Sequence, residues 1–310
     1  MKPREKIQVH SKAIKKLRNF YPFLYSDEIN RIEGSPKAGD LIEIIAPDGE
    51  KMGLGFYNSA AHIRVRVIST RSDEKLDRAF FQSRIRQAIQ RRQFLPMKSS
   101  RRLIHAEADL LPGLVVDQYN EYLVVQIRSA GMEKFRDLIV SLLRELLTPE
   151  GILERSDMES RTEEGLAPRK ELLWGIVPDR IKIDQQGLSF WVDPYHGRKT
   201  GFYLDQWQTQ RQLVEWIRPG EQILEAFQYT GRLGIAAAKA GARVLGIERE
   251  EDFVNMGKEN AKLNSVQDKV EFATGDAFYL LEAKANQHQT FDWVIIDPPS
   301  LAKTRGETQK

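Results

Sequence analysis

The sequence predicts a multidomain chain of α+β and α/β character: a small β-barrel over residues 1–72, a central α+β domain over 73–185, and an incomplete parallel α/β sheet of about four strands over 186–310. Three observations predict it. Short β-type runs separated by turn residues occupy the first seventy positions, a mixed strand and helix pattern occupies the middle, and from Gln222 onward strands and helices alternate. A chain of 310 residues has room for two or three separate cores.

The barrel rests on Leu41–Ile45, Gly53–Tyr57 and Ile63–Val67, with Pro47-Asp48-Gly49 as a turn. Alternation in the third run puts Ile63, Val65 and Val67 on one face and Arg64 and Arg66 on the other. From Asp73 to Gln93 the period becomes helical, with Leu76, Phe80, Ile85 and Ile89 on one side, so a boundary falls near Ser72. The central block reads as strand (113–117), turn (118–120), strand (122–127), amphipathic helix (Met132 to Leu147) and strand (151–154). Further strand pattern surrounds Gln186-Gly187 between Ile181 and Trp191.

The last block runs strand (223–227), glycine-containing loop (228–234), helix (235–239), strand (244–248), helix (252–263), strand (270–272), helix, strand (292–297). Such alternation gives a parallel sheet covered by helices, with ligands bound beyond the carboxyl ends of the strands. Glu225, Phe227, Glu248, Asp276 and Asp297 fall at those ends.

Composition narrows the function. No apolar run is long enough to span a bilayer and no apolar stretch follows the basic start, so a cytoplasmic protein is expected. The absence of Cys excludes disulfides, Cys-based zinc sites and a thiol nucleophile within these residues, and the five His suggest no shared metal. The net charge of +3 is small, but the basic residues cluster. Residues 1–18 hold Lys2, Arg4, Lys6, Lys12, Lys15, Lys16 and Arg18 against Glu5, and residues 82–102 hold Arg84, Arg86, Arg91, Arg92, Lys98, Arg101 and Arg102 with no acid. Such clusters suit a phosphate backbone, and Phe20, Tyr21 and Phe23 suit stacking on unpaired bases. A solvated helix face and a loose terminus would give the same pattern.

In Tyr229-Thr230-Gly231-Arg232-Leu233-Gly234 the glycines allow close backbone approach just before a helix, and Glu248 can accept from both hydroxyls of a ribose. Nucleotide-sugar enzymes and dehydrogenases share these features. Two further motifs discriminate: Gly275-Asp276-Ala277, and Asp297-Pro298-Pro299-Ser300, whose two prolines form a rigid extended edge on which a planar base can rest. A proline-rich exit that only ends a strand is the plainer alternative.

With these motifs, Leu17–Tyr25, His105–Asp117, Glu154-Arg155-Ser156-Asp157, Lys199-Thr200-Gly201-Phe202-Tyr203-Leu204-Asp205-Gln206 and Glu225–Gly234 resemble a known family. It is the class I S-adenosylmethionine (SAM)-dependent methyltransferases of 23S ribosomal RNA that make 5-methylcytosine. The resemblance covers nearly the whole chain and implies an RNA-binding PUA-like domain, a central α+β domain and a Rossmann-like catalytic domain. It implies SAM as cofactor, with Glu225, Phe227 and the Thr230-Gly231 backbone on the methionine part and Glu248 on the ribose. Asp276 and Ala277 would lie on the adenine side, Tyr203 and Asp205 close to the cofactor, and Asp297 with Pro298 beside the methyl group and the target base. Ribosomal RNA is the implied partner, with Lys15, Arg18, Arg91, Arg92, Arg101 and Arg102 as its basic contacts.

The chain departs from the family in three respects. Methylation at cytosine C5 uses a Cys thiolate that adds at C6, and no Cys is present. Four parallel strands are legible where the family sheet has seven, so a C-terminally truncated catalytic domain, inactive by itself, is expected. Its last strand would be an unprotected apolar edge, and self-association, with a homodimer as the simplest form, follows. Gln228 and Arg232 stand where the family has small residues, and Arg232 either crowds or pairs with the cofactor carboxylate. Guanine N-methylation, which needs no thiol, and a non-catalytic RNA-binding protein are the competing functions.

Overall fold

The computed structural model describes residues 5–95 and 100–299. The chain forms two compact units, Met1–Ile181 with Asp193–Phe202, and Lys182–Val192 with Tyr203–Lys310.

The first unit opens with β1 (Glu5–Val9), α1 (Ser11–Arg18), β2 (Phe23–Tyr25), β3 (Ile29–Glu33), β4 (Asp40–Ile45), β5 (Lys51–Tyr57) and β6 (Ile63–Ser69). They build a six-stranded sheet in the order β2-β6-β5-β4-β1-β3, antiparallel except where β1 runs parallel to β4. Strands β4 to β6 lie where alternation placed them. The basic start, by contrast, contains a strand and an amphipathic helix: Ile7, Val9, Ala13 and Leu17 are buried while Lys12, Lys15 and Arg18 face water.

The chain continues through α2 (Arg78–Arg91), β7 (Ser100–His105), β8 (Leu114–Tyr119), β9 (Tyr122–Ile127), α3 (Ala130–Glu133), α4 (Arg136–Leu147), β10 (Gly151–Ser156) and β11 (Arg169–Gly175). The sheet order is β11-β10-β9-β8-β7, with β9 and β10 parallel across the helical crossover. Two helices differ from the sequence reading. The helix expected from Asp73 starts at Arg78, because Asp77 caps it by accepting from the Phe80 N–H at 3.1 Å. The single helix expected over Met132–Leu147 is two, interrupted at Lys134 and Phe135, where the Phe135 ring packs 4.5 Å from that of Phe81. One core joins Leu41, Leu54, Phe56 and Ile68 of the six-stranded sheet to the apolar faces of α2, α4 and the five-stranded sheet.

The hairpin β12 (Ile181–Gln185) and β13 (Leu188–Val192) turns through Gln186 and Gly187, both at positive φ, as a two-residue hairpin requires. The second unit then contains α5 (Trp207–Trp216), β14 (Gln222–Ala226), α6 (Arg232–Lys239), β15 (Arg243–Glu248), α7 (Glu251–Leu263), β16 (Val270–Thr274), α8 (Ala277–Asn286) and β17 (Trp293–Ile296). Its four strands are all parallel in the order β16-β15-β14-β17, so the order reverses between β14 and β17 and opens a crevice at their carboxyl ends. The hairpin is fastened to α7: Asn260 and Asn264 accept from the N–H groups of Trp191 and Ser189 at 2.8 and 2.9 Å.

Candidate active site

The crevice is built around the loop between β14 and α6. Phe227, Tyr229 and Gly231 all have left-handed backbones, at φ 62°, 55° and 81°. For Phe227 and Tyr229 such geometry is costly, about 1–3 kcal/mol each, and it persists only where the surroundings enforce it. Gln228 N–H donates to the Ile247 carbonyl at 3.1 Å, Tyr229 N–H to Glu248 Oε2 at 3.0 Å, and Asn260 Nδ2 to the Thr230 carbonyl at 3.1 Å. The Tyr229 ring sits edge-on to Tyr203 and Phe253, and Phe227 edge-on to Phe278. Thr230 Oγ1 is buried without a hydrogen-bond partner.

Beneath the loop lies Glu225, 4% exposed. Its Oε2 accepts from the Gly234 N–H at 2.8 Å, and a Cβ at position 234 would fall 2.5 Å from that oxygen, so any larger residue there would displace the carboxyl. Burial pushes the Glu225 carboxyl up to about 8; the Gly234 N–H opposes this and the Asp297 charge adds to it. Glu225 is therefore largely protonated at neutral pH.

Glu248 is buried and braced: besides Tyr229, the N–H groups of Arg249 and Glu250 donate to its Oε1 at 2.8 and 3.2 Å. Asp276 is the exposed N-cap of α8, accepting from the Phe278 N–H at 2.9 Å, and Ala277 is buried behind it. Asp297 is exposed just beyond β17 and accepts from Gln206 Nε2 at 3.0 Å; Pro298 and Pro299 follow it, also exposed, while Ser300 lies outside the described residues. Asp205 is exposed in the short 3-10 turn Leu204–Gln206. The second unit thus holds every residue that the sequence reading assigned to cofactor and target base.

Arg232 resolves one sequence ambiguity. Its guanidinium is buried and directed at protein: Nε donates to Gln210 Oε1 at 2.8 Å, Nη1 to the Tyr203 carbonyl and Nη2 to Gln185 Oε1 at 3.4 Å. Burial lowers its pKa to about 10 against the pull of Asp205, leaving it charged at neutral pH. It fixes Tyr203 rather than offering a charge to a ligand. Gln206, Gln210 and Asn260 were not anticipated from sequence. The one available signal was the placement of Asn260 and Asn264 one turn apart on α7, where a purely structural helix would bury apolar residues.

The basic residues expected at RNA divide. Lys15 is exposed, and Arg18 is exposed in a pair with Glu50 at 2.7 Å. Arg92 makes a two-pronged contact with the buried Asp109, at 2.8 and 2.7 Å, and Arg102 one with the buried Asp117, at 2.8 and 2.9 Å. Arg101 donates to the Arg92 carbonyl and Arg91 to that of Ala108. Lys2, Arg4 and Lys98 lie outside the described residues. Among the described residues no group of three or more His, Asp or Glu is placed to hold a metal, and no helix is long and apolar enough to cross a membrane.

Residues 7–70 match the PUA-like domain family and residues 168–307 the S-adenosylmethionine-dependent methyltransferase family. The chain is 36% identical over 300 residues to ribosomal RNA large subunit methyltransferase I of Tolumonas auensis, and 37% identical over 299 residues to the enzyme of that name from Aeromonas salmonicida. Each alignment covers 94% of this chain and 75% of the relative. A structure from Streptococcus mutans, provisionally assigned as a SAM-dependent methyltransferase, superposes with a TM-score of 0.83 at 21% identity, covering 98% of this chain and 80% of its own. At that identity the likeness speaks for the fold.

Proposed function

The chain belongs to the family of ribosomal RNA large subunit methyltransferase I, which uses SAM, and from that membership we propose that the protein carrying it methylates large-subunit ribosomal RNA in the cytoplasm, at cytosine C5, with residues 1–310 by themselves lacking the thiol this chemistry uses. The observation that carries the reading is Glu225: a buried carboxyl that accepts from the Gly234 N–H under a loop of left-handed residues, at the point where the strand order reverses.

The residues fit the cofactor. A buried carboxyl held neutral in the absence of a counter-charge suits the ammonium of a methionine moiety, which would let it ionise. The unpartnered Thr230 Oγ1 and the Gly231 backbone offer polar contacts beside it. Glu248, with its carboxylate orientation fixed by three backbone N–H groups, would accept from the ribose hydroxyls. Phe227, Asp276 and Ala277 would border the adenine side and the methionine chain, with Tyr203 and Asp205 alongside. When bound, SAM supplies a methyl group on a positively charged sulfur. Asp297, held by Gln206, would accept from the exocyclic amine of the target base while Pro298 and Pro299 present a flat apolar edge.

Addition of a thiolate at C6, which makes C5 nucleophilic, is not available from residues 1–310, because they contain no Cys. That absence favours a second reading, methylation of a guanine nitrogen, whose lone pair needs no such activation. Deleting the encoding gene and mapping methylated nucleosides in 23S rRNA by mass spectrometry tests both. Loss of one 5-methylcytidine is expected, loss of a methylguanosine would favour the second reading, and an unchanged map would overturn the proposal. Calorimetry with SAM tests the site directly, and no measurable binding would sink the assignment of Glu225.

A further inference from the structure

A cavity of about 250 Å³ in the first unit is used by nothing above. Its walls include His62, Arg66, Glu107, Arg128, Glu163 and Glu164. Arg66 and Glu164 are engaged with protein. Arg66 donates to Glu164 Oε1 at 2.9 Å and to Glu107 Oε1 at 3.0 Å, and Glu164 Oε2 accepts from Asn58 Nδ2 at 3.0 Å and the Ala130 N–H at 3.2 Å.

Arg128 is different. Its Nη2 donates to the neutral amide oxygen of Gln126, while its Nε is buried with no hydrogen-bond partner. Burial and then the Arg102 charge disfavour its charged form, against the pull of Asp117 and Glu107. A buried donor without an acceptor costs about 1–3 kcal/mol, so the guanidinium at this wall is left under-satisfied by protein. The same cavity presents the carboxylates of Glu107 and the exposed Glu163 as acceptors. Two flat groups, the His62 ring and the Arg66 guanidinium, belong to the wall itself, each backed by an aromatic ring outside it: His62 lies 5.2 Å from Tyr25 and Arg66 5.5 Å over Phe23.

A free phosphate would meet three carboxylates in this cavity. A planar heterocycle carrying acceptors on one edge and donors on the next would satisfy both kinds of wall, and guanine alone among the RNA bases pairs O6 and N7 acceptors with adjacent N1–H and N2–H2 donors. Resting on the reading that the chain acts on ribosomal RNA, we propose that this cavity takes one unpaired guanine of that RNA, Arg128 donating to its acceptor edge and Glu163 with Glu107 accepting from its donor edge. It is a recognition contact, separate in chemistry from methyl transfer.

The test measures fluorescence anisotropy of the full chain, without SAM, on labelled oligouridine carrying one central guanosine, adenosine or inosine. The guanosine oligomer should bind about tenfold more tightly than the adenosine one, with inosine, which lacks the N2 amine, between them. Arg128→Met and Glu163→Gln should each erase most of that preference; Glu163 is exposed, so its variant reports on recognition even if Arg128→Met fails to fold. Equal affinities for guanosine and adenosine oligomers would overturn the proposal, as would a guanine preference surviving Glu163→Gln together with a folded Arg128→Met. Binding of GMP without binding of the guanosine oligomer assigns the cavity to a free nucleotide and overturns it too. Methyl transfer to rRNA, assayed separately with radiolabelled SAM, bears only on the proposed function.

Discussion

Glu225 makes two measurable statements. Its folded pKa of about 8 lies above the ordinary 4.5, so between these values the native state keeps a proton that the unfolded chain has released. The stability it contributes is full below pH 4.5 and is lost as pH rises through 8. Urea midpoints measured across that window should fall for the unaltered chain and flatten for Glu225→Gln, which still accepts from Gly234; parallel curves would show that the group is not protonated in the native state. If the cofactor ammonium ionises Glu225, SAM binding at pH 7 should release a proton, read as a dependence of calorimetric heat on buffer. Glu225→Gln should abolish that release and weaken binding about tenfold, the loss of one charge-assisted hydrogen bond. A second pair of residues separates RNA contact from scaffold. Arg102→Ala removes the guanidinium from the fully buried Asp117, leaving it the neutral hydroxyl of Thr200, and should destabilise by about 3 kcal/mol. Lys15→Ala should leave thermal stability unchanged and weaken RNA binding a few-fold at low salt.

Among the elements, β17 is the most exposed liability. It closes one edge of the parallel sheet, with Val294 and Ile296 more than half exposed, and Phe278 and Tyr279 of α8 are exposed as well. An apolar edge with unpaired backbone groups is a template for pairing. Residues 1–310 should elute from size exclusion as dimers or larger species, and Val294→Lys should shift them toward monomer; a monomer before substitution would count against this edge as an interface. The elements also show what the sequence made legible. Alternation and turn residues marked β4 to β6 and the hairpin around Gln186-Gly187, and strict strand and helix alternation marked β14 to β17. β1 was hidden because its two buried residues, Ile7 and Val9, alternate with Lys6 and Gln8 within a run of charge. The helix break at Lys134 and Phe135 was hidden because the apolar period continues through it and the rings that pack on Phe135, those of Phe81 and Phe56, are distant in sequence. At the site, the strand-end acids were legible from position alone. The direction of Arg232 was not, since its acceptors Gln185, Tyr203 and Gln210 are brought to it only by folding.

At the scale of the whole molecule, the net charge is only +3, and two of the basic residues expected at RNA, Arg92 and Arg102, are paired within the fold. RNA affinity should therefore depend weakly on salt for a nucleic-acid enzyme, with a logarithmic slope of about −2 to −3 against salt, a value that titration between 50 and 200 mM would check. The lack of any Cys carries the other prediction: residues 1–310 should bind SAM yet form no 5-methylcytidine on 23S rRNA in vitro. Mass spectrometry detecting that nucleoside would require a C5 chemistry without a thiol.

The path of the chain between its two units has a bearing on how such a protein can be rearranged. The backbone passes from one unit to the other at 181/182, returns at 192/193 and passes again at 202/203. A cassette cut at residue 203 would leave behind β13, whose N–H groups Asn260 and Asn264 hold, while one cut at 182 would carry the foreign stretch Asp193–Phe202, including Thr200, whose hydroxyl donates to Asp117 at 2.6 Å. No single splice separates the halves cleanly. Chimaeras should tolerate exchange only when all three crossings are honoured.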